Sequence, residues 1–121
     1  MKKVFVVDDE RSILEALKYM LLEEGYEVKT ASRGTELLHL DHDLPDVIVL
    51  DVLLSGEDGR EIARKLKSQK KTKNIPIVMI SAHPNAACTI KECGADDFLP
   101  KPFDIRELLA VVEKHCAKSP N

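Results

Sequence analysis

The sequence predicts an α/β protein built from five β/α repeats, (βα)5, with a parallel sheet and helices on both of its faces. Three observations carry this. The runs VFVV at Val4–Val7, VIVL at Val47–Leu50 and IVMI at Ile77–Ile80 are continuously apolar. Unbroken runs of that length fit parallel strands covered on both faces, whereas half-exposed strands would alternate. Between the runs lie longer segments whose apolar residues recur at helical spacing, and glycines and prolines mark the joints.

In chain order, VFVV supplies the first strand. Ile13, Leu14, Leu17, Met20 and Leu21 then follow the i, i+1, i+4, i+7, i+8 rhythm of one helix face, and Gly25 is placed to stop that helix. EVKTA, around Val28, is a weaker second strand, VIVL a third and IVMI a fourth. DDFL, around Asp97, is a weaker fifth. Ile105, Leu108, Leu109 and Val112 repeat the helical pattern in a last helix that Asp104 would cap. Gly34, Gly59 and Gly94 are expected in the loops. KLKSQKKTKN, Lys65 to Asn74, follows a helix, precedes Pro76 and lacks interleaved aromatics, so it reads as a solvated loop rather than a nucleic-acid surface.

The chain's 121 residues fit one domain, 1–121, with a real core and little room for a second. With 44% hydrophobic and 32% charged residues it has the balance of a globular protein. A net charge of −3 gives no reason to expect a nucleic-acid or anionic-membrane partner. No apolar run is long enough for a membrane span, and the N-terminal run stops at two aspartates, so a cytoplasmic location is expected. The three cysteines (Cys88, Cys93, Cys116) form no CxxC pair, and the four histidines are scattered. All seven read as structural or surface residues rather than as a disulfide framework or a zinc site.

The polar residues that end the strands are more informative. Asp8 and Asp9 follow the first run, Asp51 the third, Ser81 the fourth, and Lys101 the fifth. In an open parallel sheet these ends share one edge, where ligands bind at the point of strand reversal. Each residue has an ordinary alternative role: Asp8 or Asp9 as a helix cap, Ser81 as a loop hydrogen-bonder. Three carboxylates, a hydroxyl and an amine at four strand ends are together hard to ascribe to chance. Clustered carboxylates repel and call for a cation; Mg²⁺ uses one or two of them with waters and a phosphate oxygen. Asp51, at the tip of a buried strand, is then the candidate nucleophile for an aspartyl-phosphate. Lys101, set between Pro100 and Pro102, adds positive charge from the neighbouring strand.

These residues carry a resemblance. VVDDE at Val6–Glu10, IVLD at Ile48–Asp51, Asp58-Gly59 and GADDFLPKPF at Gly94–Phe103 stand in the order and spacing of the receiver domains of two-component response regulators. The chain resembles that family over nearly its whole length. The resemblance implies a flavodoxin-like fold with strand order 2-1-3-4-5. It implies Asp51 as the phosphoacceptor, and Asp8, Asp9, Asp51 and the backbone carbonyl of Leu53 around Mg²⁺. Ser81 and Lys101 would hold the phosphoryl oxygens, the bond from Lys101 to Pro102 would be cis, and Phe98 would turn inward with the switch. A sensor histidine kinase or histidine phosphotransfer protein is the implied donor, and a downstream effector domain or protein the implied target. Neither nucleic acid nor membrane is expected as a direct partner, nor an output domain within the chain. The domain would catalyse only its own phosphorylation and dephosphorylation.

Two departures stand out. Leu54-Ser55 replaces the Met-Pro common in such families, which predicts a more mobile loop after Asp51. Leu53 and His83 take positions that border the phosphoryl site and vary among receivers. Apolar Leu53 is expected to restrict water and lengthen the phosphoryl lifetime; an unchanged dephosphorylation rate in Leu53→Asn would refute this. Rival readings are weaker. A small aspartate-nucleophile phosphatase usually has a second aspartate where Leu53 stands. A flavin or nucleotide carrier would want a glycine-rich cradle after the first strand. A degenerate docking-only receiver would have lost a key residue.

Overall fold

Alternate residues of each apolar run point to opposite faces of one sheet, and both faces are covered. This is seen in a computed structural model that describes residues 2–40, 43–82 and 92–117. The strands are β1 (Lys3–Val7), β2 (Glu27–Ala31), β3 (Val47–Asp51), β4 (Ile77–Ser81) and β5 (Asp97–Pro100). All pair in parallel, in the order β2-β1-β3-β4-β5, as the resemblance implies. The α-helices that lie wholly within the described residues are α1 (Arg11–Glu23), α2 (Gly59–Ser68) and α3 (Ile105–Ala117). Phe5, Val7, Ile48, Leu50, Ile77 and Met79 pack with Ile62, Ala63 and Leu66 of α2 on one face. Val4, Val6, Val47, Val49, Val78 and Ile80 pack with Leu17 and Leu21 of α1 and Leu108 and Val112 of α3 on the other. Burying each large aliphatic side chain contributes about 1.5–3 kcal/mol, so the two layers dominate stability.

The helix ends follow local chemistry. Gly25, at φ +91°, takes the left-handed turn just past α1. Asp104 and Glu107 form a reciprocal box at the start of α3: the Arg106 N–H donates to Asp104 Oδ1 at 2.9 Å, and the Asp104 N–H donates to Glu107 Oε1 at 3.0 Å. Neither Asp8 nor Asp9 caps α1. Its N-cap is Glu10, with no side-chain cap bond, and Asp8 Oδ1 instead accepts the Glu10 N–H at 2.9 Å.

The second connection differs from a simple β/α repeat. It holds a 3₁₀ helix, Gly34–His39, rather than an α-helix. Leu37 and Leu40, three residues apart, both pack into the α2-side core. That three-residue spacing suits the 3₁₀ period, in which side chains at i and i+3 lie over one another. Gly34 and Gly59 are the first residues of this helix and of α2, not loop residues. Lys65, Lys67 and their neighbours form the end of α2, and the basic run becomes a loop only beyond Ser68. The fourth crossover falls largely outside the described residues. Among those described, no helix is long and apolar enough to cross a membrane. Cys93, Cys116 and His115 are buried, and His115 Nε2 lies 3.1 Å from Asp97 Oδ2. Cys88, His42 and His83 lie outside the described residues.

Candidate functional site

The C-terminal ends of β1, β3, β4 and β5 bring the acidic residues and the lysine to one edge. β1 and β3 are neighbours, so Asp8 and Asp9 at the end of one meet Asp51 at the end of the other. The three residues can each offer a carboxylate oxygen within 4.8 Å of the other two. Asp8 and Asp51 are buried, at 0% and 5% exposure, while Asp9 is more open. Buried like charges at this distance are strongly unfavourable without a counter-charge.

Lys101 supplies one. Its Nζ donates to Asp8 Oδ2 and to Asp51 Oδ2, each at 3.0 Å. The lysine is fixed by its backbone: its N–H donates to the Ser81 carbonyl at 2.8 Å, extending the β4–β5 register, and its bond to Pro102 is cis. Sequence reading aimed Lys101 at Asp51 from the neighbouring strand; β4 in fact lies between β3 and β5, and the lysine reaches past it. The second partner, Asp8, follows from β1 lying beside β3. Burial pushes the Lys101 ammonium down, but hydrogen bonds to Asp51 and Asp8 outweigh it and hold the pKa above its ordinary value. Burial raises the Asp51 carboxyl above the usual carboxylate range, although Lys101 and the Leu53 N–H pull the other way. Asp51 is therefore under-compensated by one amine, which is the condition a further cation would relieve.

The remaining candidates lie on the same strands or just beyond them. Ser81 is 1% exposed at the end of β4, in register with Pro100. Leu53 donates its N–H to Asp51 Oδ1 at 3.2 Å and leaves its side chain 54% exposed beside the site. Phe98 sits on β5, half-buried against the α2-side core and paired with Met79. His83 lies outside the described residues.

Sequence reasoning missed two features. Leu53–Leu54 and Glu57–Asp58 form a short antiparallel ladder, with Ser55 and Gly56 (φ +74°) at its turn. Its tip is tied down: Ser55 donates its N–H and its hydroxyl to Asp9 Oδ2, at 2.9 and 2.6 Å, and Glu57 Oε1 accepts the Gly34 N–H at 2.7 Å. The expected looser loop is thus anchored at two points. Nothing in the order of residues signals the Ser55 contact, because it exists only once the turn brings Ser55 over the β1 end. Among the described residues the donor set fits a hard cation: several carboxylate oxygens, no soft ligand, and a partly solvated mouth at Asp9.

A family model described as the response regulator receiver domain matches residues 4–113. A putative response regulator from Chloroflexus aurantiacus is 36% identical, with 97% of this chain and 98% of that one covered and a TM-score of 0.88. The signal receiver domain of a histidine kinase from Syntrophus aciditrophicus is 30% identical, with 100% and 96% covered and a TM-score of 0.87. TrrA from Thermotoga maritima, solved in complex with Mg²⁺ and BeF, is 36% identical, with 95% and 99% covered and a TM-score of 0.83.

Proposed function

Because the chain belongs to the response regulator receiver domain family, we propose that it is a phosphoacceptor switch in which Asp51 takes a phosphoryl group from a phosphohistidine. The observation that carries the proposal is the convergence of Asp8, Asp9 and Asp51 with Lys101 bridging two of them. An Asp51 carboxylate oxygen would attack phosphorus; the P–O bond forms as the P–N bond breaks, and the imidazole nitrogen leaves with the electron pair. Asp8, Asp9, Asp51 and the Leu53 carbonyl are the groups that would hold Mg²⁺. When bound, Mg²⁺ neutralises carboxylate charge and offsets the charge on the transferring phosphoryl oxygens. The Mg²⁺–BeF complex of the Thermotoga relative supports this cofactor.

Lys101 and Ser81 would then hold the phosphoryl oxygens. Charge-assisted hydrogen bonds contribute roughly 1.5–3 kcal/mol each, whereas moving a two-state switch from 1:99 to 99:1 takes about 5.5 kcal/mol. Lys101 already holds two carboxylates at rest, so its net gain is the smaller part. The switch is therefore partial alone and completed by a partner that prefers the active face. β5 with Phe98 and α3 carry that face in this reading, and its partners are a donor kinase or phosphotransfer protein and an effector; the fourth crossover, also expected there, lies largely outside the described residues.

The proposal is tested by weighing the intact protein after incubation with a small-molecule phosphodonor. The expected result is a gain of one phosphoryl group with Mg²⁺ and none after chelation. A parent that gains nothing with Mg²⁺ present contradicts the reading.

A further inference from the structure

We propose that Ser55 is a positioning residue for the cation site, holding Asp9 in the orientation in which it receives Mg²⁺. The inference rests on the reading that Asp8, Asp9 and Asp51 form that site. Asp9 is the most exposed of the three, and an unrestrained aspartate there would sample several rotamers. Ser55 removes that freedom. Its backbone N–H and its hydroxyl form a fork on a single oxygen, Asp9 Oδ2, at 2.9 and 2.6 Å. The other oxygen, Oδ1, is left as the one to face a cation.

The fork is itself held rigid from behind. Ser55 and Gly56 turn the short ladder in which Leu53 pairs with Asp58 and Leu54 with Glu57. Leu54 is buried in the α2-side core. Glu57 ties the returning strand to the Gly34 N–H at 2.7 Å, and Asp58 caps α2 by accepting the Arg60 N–H at 2.9 Å. Ser55 therefore acts on Asp9 from a fixed platform. A proline at 55 would supply neither donor, and an alanine would supply one. Partners that orient a metal ligand commonly affect affinity by tenfold or more; with Asp9 open to water, about three- to tenfold is expected here.

The test is calorimetric titration of the intact protein with MgCl₂, comparing the parent with Ser55→Ala and Ser55→Thr. Ser55→Ala should weaken Mg²⁺ binding about three- to tenfold. Ser55→Thr, which keeps the hydroxyl, should restore most of it. The thermal deficit of Ser55→Ala relative to the parent should be clearly larger in Mg²⁺ than after chelation, whereas a merely structural serine would give the same deficit in both. A parent that binds Mg²⁺ with the same affinity as Ser55→Ala overturns the role of Ser55 and leaves the cation site standing. A parent that binds no Mg²⁺ overturns both.

Discussion

Lys101→Met is expected to lose about 2–4 kcal/mol of stability in Mg²⁺-free buffer, because it strands two buried carboxylates. Lys101 Nζ lies 3.0 Å from both Asp8 Oδ2 and Asp51 Oδ2. Removing one partner of a buried ion pair leaves the other's desolvation uncompensated, and here two charges are left and they repel. Methionine fills a similar volume, so the loss reports charge rather than a cavity. The deficit should respond to two agents. Mg²⁺ should restore part of it by taking the lysine's place among the carboxylates. Acid should do so as well. Burial already holds the Asp51 pKa above its ordinary value, and losing Lys101 removes a group that lowers it. A carboxyl whose folded pKa exceeds its unfolded one penalises the fold when ionised. The penalty is full above the folded pKa and fades as pH falls through it toward the unfolded value. Thermal unfolding of parent and variant, with chelator and with Mg²⁺ at two pH values, checks this. Equal midpoints in chelator would show that Lys101 does not hold the cluster together.

Gly59→Ala is expected to cost about 2–4 kcal/mol, toward the upper part of what overpacking does or beyond it. Gly59 opens α2 directly behind the site, and its N–H donates to the Val52 carbonyl at 2.7 Å. A β-carbon there would collide with the main-chain oxygen of Asp51 and lie 3.0 Å from the Val52 Cα. Backbone cannot swing aside as a flexible side chain does, so either α2 or the end of β3 must move. Both share the α2-side core, through Ile62, Ala63 and Leu66 on one side and Ile48 and Leu50 on the other. For a domain of this size the midpoint should fall by roughly 3–5 °C per kcal/mol. Because the displaced atoms belong to Asp51, phosphoryl uptake should fall with it. Thermal unfolding and intact mass measure the two effects; a parent-like midpoint would mean that the approach is relieved without cost.

These two residues mark what the sequence could and could not reveal. Continuous apolar runs bury both faces of a strand, so the parallel sheet was readable from VFVV, VIVL and IVMI alone. The polar residues ending those runs are legible for the same reason: a strand that stops at the sheet edge delivers its next residue to that edge. Gly59 was visible only as part of a short motif, because its need for a missing β-carbon depends on where α2 crosses the β3 end. The 3₁₀ helix at Gly34–His39 escaped because a six-residue segment gives too few turns for its period to stand out. Ser55 escaped for a different reason. Its donors reach Asp9 across 46 positions of sequence, and only the turn geometry at Ser55–Gly56 brings them there.

Asp51, not Asp8 or Asp9, is expected to carry the phosphoryl group. An acyl phosphate is reduced by borohydride to an alcohol, which marks the aspartate that was modified. The protein should be incubated with a phosphodonor and Mg²⁺, reduced, digested and sequenced by tandem mass spectrometry. A single reduced residue is expected, at position 51, absent when Mg²⁺ is chelated. Reduction at Asp8 or Asp9, or at no aspartate, would contradict it.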